Sequence, residues 1–251
     1  MLIYDYSERR ARNHEKIRIL LNFLKQETYS DFKTLMLLFD YKNHKPLYLL
    51  LAKAIDMGFI QKQTFCTRME KISLWGITND GLAAVATTDD DGFPARFEPA
   101  KITGWTLEHH LDNQLARLIL EKQGAYGWLH GNRPTFRSHY RTTHRPDGVV
   151  TLPNGTVIAV ETERRLKTKA RYQSIITNHL LARTQKHWMY VFYIVPDSQK
   201  KLALELLFNN IKHVIVNHQR IRLEAKHRNV FRVYTFEELK RLELDRCASA
   251  Q

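Results

Sequence analysis

The chain has 251 residues, is 43% hydrophobic and carries a formal net charge of +13, which allows two packed cores. No run reaches the ~18 apolar residues of a membrane helix, and Met1-Leu2-Ile3-Tyr4-Asp5 lacks the basic-then-apolar order of a secretory leader; the expectation is a cytoplasmic protein with no membrane insertion. Cys66 and Cys247 are far apart and form no Cys-x-x-Cys pair, which excludes a disulfide framework or a thiolate zinc site and leaves carboxylates and histidines as metal donors. Residues 1–100 carry a net charge of about +1 and residues 101–251 about +12. A field of that kind attracts polyanions, and nucleic acid is the partner it fits best.

In chain order, Ile17, Leu20, Leu21 and Leu24 repeat at helical spacing, and Thr28-Tyr29-Ser30-Asp31 caps a second helix running to Leu38 or Phe39. Asn43-His44-Lys45-Pro46 opens a third helix whose buried stripe is Leu47, Leu50, Leu51 and Ala54 and which ends at Gly58. Residues 59–68 and 71–77 read as two strands joined at Met69-Glu70, and Thr78-Asn79-Asp80 begins a short Ala-rich helix. Three helices and a hairpin make a winged helix-turn-helix over residues 1–88. In that arrangement the third helix enters the major groove, with Asn43, His44, Lys45 and Tyr48 near its leading end and Arg68 and Lys71 at the hairpin tip. A protein-contact role is the alternative for such a nearly neutral segment.

Residues 89–104 read as a linker: Asp89-Asp90-Asp91-Gly92-Phe93-Pro94 breaks all periodicity, and adjacent Asp side chains in an extended loop diverge. From 105 to 251 a second domain is expected. Leu107, Leu111, Leu115, Leu118 and Ile119 mark a helix to about Lys122, and Tyr126-Gly127-Trp128-Leu129 begins a strand. Gly148 to Leu152 and Thr156 to Val160 flank Pro153-Asn154-Gly155, a hairpin with an Asn-Gly turn. A helix over about 165–183, a buried strand at 190–195, a helix begun by Asp197 and a late strand at 230–234 follow.

The chemistry concentrates at this hairpin. Pro146-Asp147 opens it, and Glu161-Thr162-Glu163 follows its second apolar run. An ionised Glu161 beside buried valines needs a partner, and carboxylates converging from two strands suit Mg²⁺ or Mn²⁺. Pro-Asp is also a common turn dipeptide, so the bland reading is a charged strand end. The run Arg164-Arg165-Leu166-Lys167-Thr168-Lys169-Ala170-Arg171, read as helix, puts Arg164, Lys167 and Arg171 on one face, aimed at phosphate or simply solvated. His109 and His110 are adjacent and would diverge on a helix, so they do not pair on one ion.

Pro146-Asp147 with Glu161-Thr162-Glu163, in the order helix, strand, hairpin, helix, strand, resembles the PD-(D/E)XK restriction-endonuclease-like superfamily. With the amino-terminal winged helix and the basic run 164–172, nearly the whole chain is similar to the MobC-type relaxases of mobilisable plasmids and related replication-relaxation proteins. The resemblance implies a mixed α/β fold of the α+β type, a winged helix followed by an αβββαβ nuclease-like domain. It implies Asp147 and Glu161 as ligands of Mg²⁺ or Mn²⁺, joined by Glu163, which departs from the pattern by standing where Lys is expected. Lys167 or Lys169 could return that cation, and Arg164, Lys169 and Arg171 would contact DNA. The activity implied is metal-assisted nicking of double-stranded DNA at an origin region, with relaxosome accessory and coupling proteins as partners and a homodimer as a possible assembly. The competing reading is a non-catalytic DNA-binding protein: a replication initiator, an accessory protein or a transcription regulator.

Overall fold

The computed structural model describes residues 5–66, 71–88, 90, 94–216 and 218–246. They form a mixed α+β protein whose internal contacts separate into two compact units, Met1–Gln114 and Leu115–Gln251. The division falls inside a helix, after the stretch 89–104 that the sequence marks as a linker. Among the described residues no helix is long and apolar enough to cross a membrane.

In the first unit α1 (Tyr6–Glu27) starts where the Asp5 carboxylate accepts from the Ser7 N–H at 2.9 Å, and it buries Ile17, Leu20, Leu21 and Leu24. Then come β1 (Tyr29–Asp31) and α2 (Phe32–Leu38), capped by Asp31 accepting from Thr34 N–H at 2.8 Å. α3 (His44–Asp56) buries the expected stripe Leu47, Leu50, Leu51 and Ala54. β2 (Ile60–Cys66) and β3 (Lys71–Ile77) pair antiparallel from Ile60 opposite Ile77 to Cys66 opposite Lys71. β1 adds to the other edge of β3, giving the order β1-β3-β2; this third strand was not anticipated from sequence. α4 (Asn79–Ala84) is capped by Thr78. The first half of α5 (Gly104–Lys122) contributes Leu107 to a cluster with Leu74 and Phe97.

The second unit is built on a five-stranded sheet. β4 (Tyr126–His130), α6 (Pro134–His139), β5 (Gly148–Thr151) and β6 (Val157–Thr162) are followed by α7 (Lys169–Thr184) and β7 (Tyr190–Val195). α8 (Ser198–Asn210), a small hairpin of β8 (His213–Val216) and β9 (Gln219–Arg222), α9 (Ala225–Arg228), β10 (Phe231–Thr235) and α10 (Phe236–Arg241) complete it. The strand order is β10-β7-β6-β5-β4, with β10, β7 and β6 parallel and β6, β5 and β4 antiparallel. The hairpin turn behaves as its residues require: Gly155 has φ +81°, and the Asn154 side chain accepts from Thr156 N–H at 3.0 Å.

Side chains alternate across a strand, so Ala159, Glu161 and Glu163 share one face of β6. That face is covered by the α7 stripe Tyr172, Ile175, Ile176 and Ala182, and the core continues through Val149, Val191, Tyr193 and Val233. α7 begins at Lys169, not near 165, because Thr168 caps it by accepting from Arg171 N–H at 3.3 Å. Arg164 and Lys167 therefore lie in the connection before the helix, and the common helical face expected for Arg164, Lys167 and Arg171 does not form.

Candidate functional site

The carboxylate end of β6 gathers the titratable groups of the second unit. Asp147 stands just before β5, and the pairing of Gly148 with Val160 carries on to place it beside Glu161. Gly131 makes this approach possible. Its N–H donates to the Asp147 carbonyl at 3.1 Å, and a Cβ there would stand 1.7 Å from the Pro146 carbonyl oxygen. The Asp147 carboxylate is tied down, one oxygen accepting from Thr162 N–H at 2.8 Å and from the Thr162 hydroxyl at 3.1 Å.

Glu161 is 7% exposed, and its Oε1 meets two imidazoles, His144 Nε2 at 2.6 Å and His179 Nε2 at 3.1 Å. His144 comes from the loop before Asp147, and fully buried His179 projects from α7, two turns after Tyr172. Burial alone would raise the Glu161 pKa, but the hydrogen bonds from His144 and His179 outweigh it and bring the carboxyl down to about 2. Burial lowers the pKa of His179, against the opposing pull of Glu161. One donor atom from each of the three residues lies within 4.8 Å of the other two.

Glu163 is also buried and has different partners. It forms an ion pair with Lys167 and accepts from the Tyr172 hydroxyl at 2.8 Å. Tyr172 in turn accepts from Lys167 N–H at 3.4 Å, so the loop after β6 folds back onto the strand that precedes it. Burial first, and then the Glu163 charge, push the Tyr172 phenol well above its ordinary pKa. That makes it a fixed donor and a poor nucleophile. Tyr193 pairs in register with Glu161 across β6 and β7, and its buried hydroxyl has no hydrogen-bond partner among the described residues. Burial and the charges of Glu161, Glu163 and Asp147 raise its pKa as well.

Of the residues expected here, Glu163 and Lys167 pair with each other, Asp147 is adjacent to Glu161 in register, and Glu161 itself meets two histidines. Lys169 and Arg171 are exposed on the first turn of α7 and Arg164 is partly buried before it. His144 and His179 were not singled out from sequence. The available signal was His179 occupying a position of the apolar stripe of α7; nothing local marks His144. His109 and His110 point to different partners, Asn113 and the Glu27 carbonyl. In the first unit Asn43, His44, Lys45 and Tyr48 are exposed at the leading end of α3, where the rings of His44 and Tyr48 lie 5.3 and 4.5 Å from Phe32. Lys71 is exposed at the start of β3; Arg68 lies outside the described residues. A second basic feature, unmarked in the sequence, is the β8–β9 hairpin, where exposed Arg220 and Arg222 share a face with His213.

Comparison of the chain with family models, with curated proteins and with solved structures yields no match.

Proposed function

We propose that the chain is a metal-dependent DNA-nicking enzyme of the relaxase type, with chemistry in the second unit and DNA reading in the first. The observation that carries this reading is a buried carboxylate, Glu161, held between two imidazoles, with the Glu163–Lys167 pair two residues on. A buried carboxylate whose pKa is moved by burial and specific partners, as that of Glu161 is, is a pattern found at catalytic sites. Apart from the short α6 between β4 and β5, the elements of residues 104–195 run helix, three antiparallel strands, helix and parallel strand, which supports an αβββαβ nuclease-like core. The three helices and hairpin of the first unit similarly support a winged helix, and the net charge of about +12 in residues 101–251 suits a polyanionic substrate.

The donors of Glu161, His144 and His179 lie within 4.8 Å of one another, and a divalent ion with ligands at about 2.0–2.2 Å would take the place of the 2.6 and 3.1 Å hydrogen bonds that now join them. Such an ion supplies Lewis acidity and a water acidic enough to attack a phosphodiester. Glu161 anchors this chemistry and keeps its charge across the whole physiological range. Lys167, 37% exposed at its side chain, offers an ammonium to the phosphate oxygens from the position that Glu163 fixes. Exposed Lys169 and Arg171 extend this basic edge toward the DNA backbone.

The test is nicking of a supercoiled plasmid carrying the DNA that flanks the coding sequence, with Mn²⁺, Mg²⁺ or EDTA, by wild type and Glu161→Gln. Conversion to open circles by wild type in Mn²⁺, lost with EDTA and in the variant, is expected. A second reading, a non-catalytic DNA-binding module, is favoured by the engagement of Asp147 with Thr162. Binding of the same DNA by both proteins, unaffected by EDTA and without nicking, would establish it instead.

A further inference from the structure

We infer that the ion of this site is a first-row transition-metal dication held by His144, Glu161 and His179, and not Mg²⁺ held by Asp147, Glu161 and Glu163. The inference rests on the reading of the second unit as metal-dependent and names which metal chemistry it uses. Donor type is the first argument. Mg²⁺ takes oxygen ligands in near-ideal octahedral order and keeps its waters, whereas two imidazoles and one carboxylate suit Mn²⁺, Fe²⁺, Co²⁺ or Zn²⁺.

The second argument is what the carboxylates are already doing. An Asp147 oxygen accepts twice from Thr162, and Glu163 Oε2 is engaged by Lys167 and Tyr172. Recruiting Glu163 to an ion through Oε2 would disturb its pair with partly exposed Lys167 and its hydrogen bond from Tyr172. Glu161, by contrast, hydrogen-bonds through Oε1 to the two groups that would join it as ligands.

Tyr193 is the third and independent observation. Its backbone is the register partner of Glu161, and its buried hydroxyl finds no hydrogen-bond partner among the described residues, although buried hydroxyls are almost always satisfied. A water or hydroxide carried by an ion at Glu161 would give it one. The three arguments concern different residues and point to the same place.

The experiment uses the full chain without a histidine tag, stripped with chelator and dialysed. Calorimetric titration with Zn²⁺, Mn²⁺ and Mg²⁺, and visible absorption with Co²⁺, read binding directly and need no nicking activity. One equivalent of Zn²⁺ and of Co²⁺ is expected, with Mg²⁺ weaker by at least about 100-fold, or roughly 2.7 kcal/mol. His144→Ala should weaken Zn²⁺ and Co²⁺ by at least about tenfold, while Asp147→Ala should change them by less than about threefold. His179→Gln, which keeps a polar side chain in the buried position, is the second ligand variant, and circular dichroism checks the fold of each. Absence of binding by wild type, equal affinity for Mg²⁺, or undiminished Zn²⁺ affinity in folded His144→Ala and His179→Gln would overturn the assignment. Tight Zn²⁺ binding by a protein that never nicks DNA would leave the site standing and remove the nuclease reading.

Discussion

Replacing Tyr172 by Phe removes one oxygen and leaves the ring, which packs 5.4 Å from Phe208, in place. That oxygen donates at 2.8 Å to a carboxylate only 5% exposed, and no water can take over without opening the core. A hydrogen bond to a charged group contributes about 1.5–3 kcal/mol, and the lower half of that range applies here because Lys167 still neutralises Glu163. About 2 kcal/mol of destabilisation is therefore expected, or about 4–8 °C in the melting temperature of a unit of this size. The assay is urea unfolding and calorimetry of wild type, Tyr172→Phe, Glu163→Gln and the double variant. The cycle should return a coupling of at least about 1 kcal/mol, since the two side chains share one bond. A single-variant loss below about 0.5 kcal/mol, with no coupling, would mean that Glu163 is hydrated and that the Lys167–Glu163–Tyr172 arrangement does not hold the loop before α7.

Reversing charge on the β8–β9 hairpin with Arg220→Glu and Arg222→Glu should weaken DNA binding and reduce the salt slope by about 2, near 0.9 for each phosphate that is no longer neutralised; an unchanged slope would remove the hairpin from the DNA path. In the first unit, burial and then the Glu27 charge raise the Tyr29 phenol to about 12. A raised folded pKa gives stability that is complete below the unfolded value near 10 and is lost as pH climbs from there to about 12. Thermal melts of wild type and Tyr29→Phe from neutral to strongly alkaline pH should show this loss in wild type and a shallower one in the variant; superimposable pH profiles would refute it. Gly131→Ala brings a Cβ to 1.7 Å from the Pro146 carbonyl oxygen, which only backbone movement can relieve, so a cost of about 3 kcal/mol is expected. Calorimetry would show it, and a fully stable variant would mean that the strand before Asp147 has room to shift.

Elements with strong local signals were legible. The stripe of α3, the Asn-Gly turn between β5 and β6 and the Asp197 cap of α8 all stand as read. The misses share a physical cause. β1 is three residues that become a strand only by pairing with β3, and in β8 and β9 only Val214 is buried, so no alternation shows. α7 starts later than about 165 because Thr168 caps it, and Lys167 pairs with Glu163 across the loop before it. At the site, Glu161 was conspicuous as a charge inside an apolar run. Its partners were not, because His144 and His179 lie 17 and 18 residues away and meet it only through the loop before β5 and the packing of α7 on β6.

The departure at Glu163 follows the same logic. A lysine at that position would carry its ammonium on the strand itself; here the strand carries an anion, and Lys167 returns from the loop to pair with it. The result is a neutral pair two residues beyond Glu161 in the chain, locked by Tyr172. Neutrality there leaves the charge of Glu161 to be answered by what stands on its other side, two imidazoles of which one is fully buried and resists protonation. Around a dication the same nitrogens and the Glu161 carboxylate would share one positive centre. Exchanging Glu163 for Lys should therefore not improve the site. With Lys167 displaced from its partner, two ammonium groups would face the same ion, and the expected outcome is weaker Zn²⁺ binding by Glu163→Lys than by wild type. Tighter binding would mean that an ammonium at position 163 does not repel the ion and that the strand position is suited to a cation.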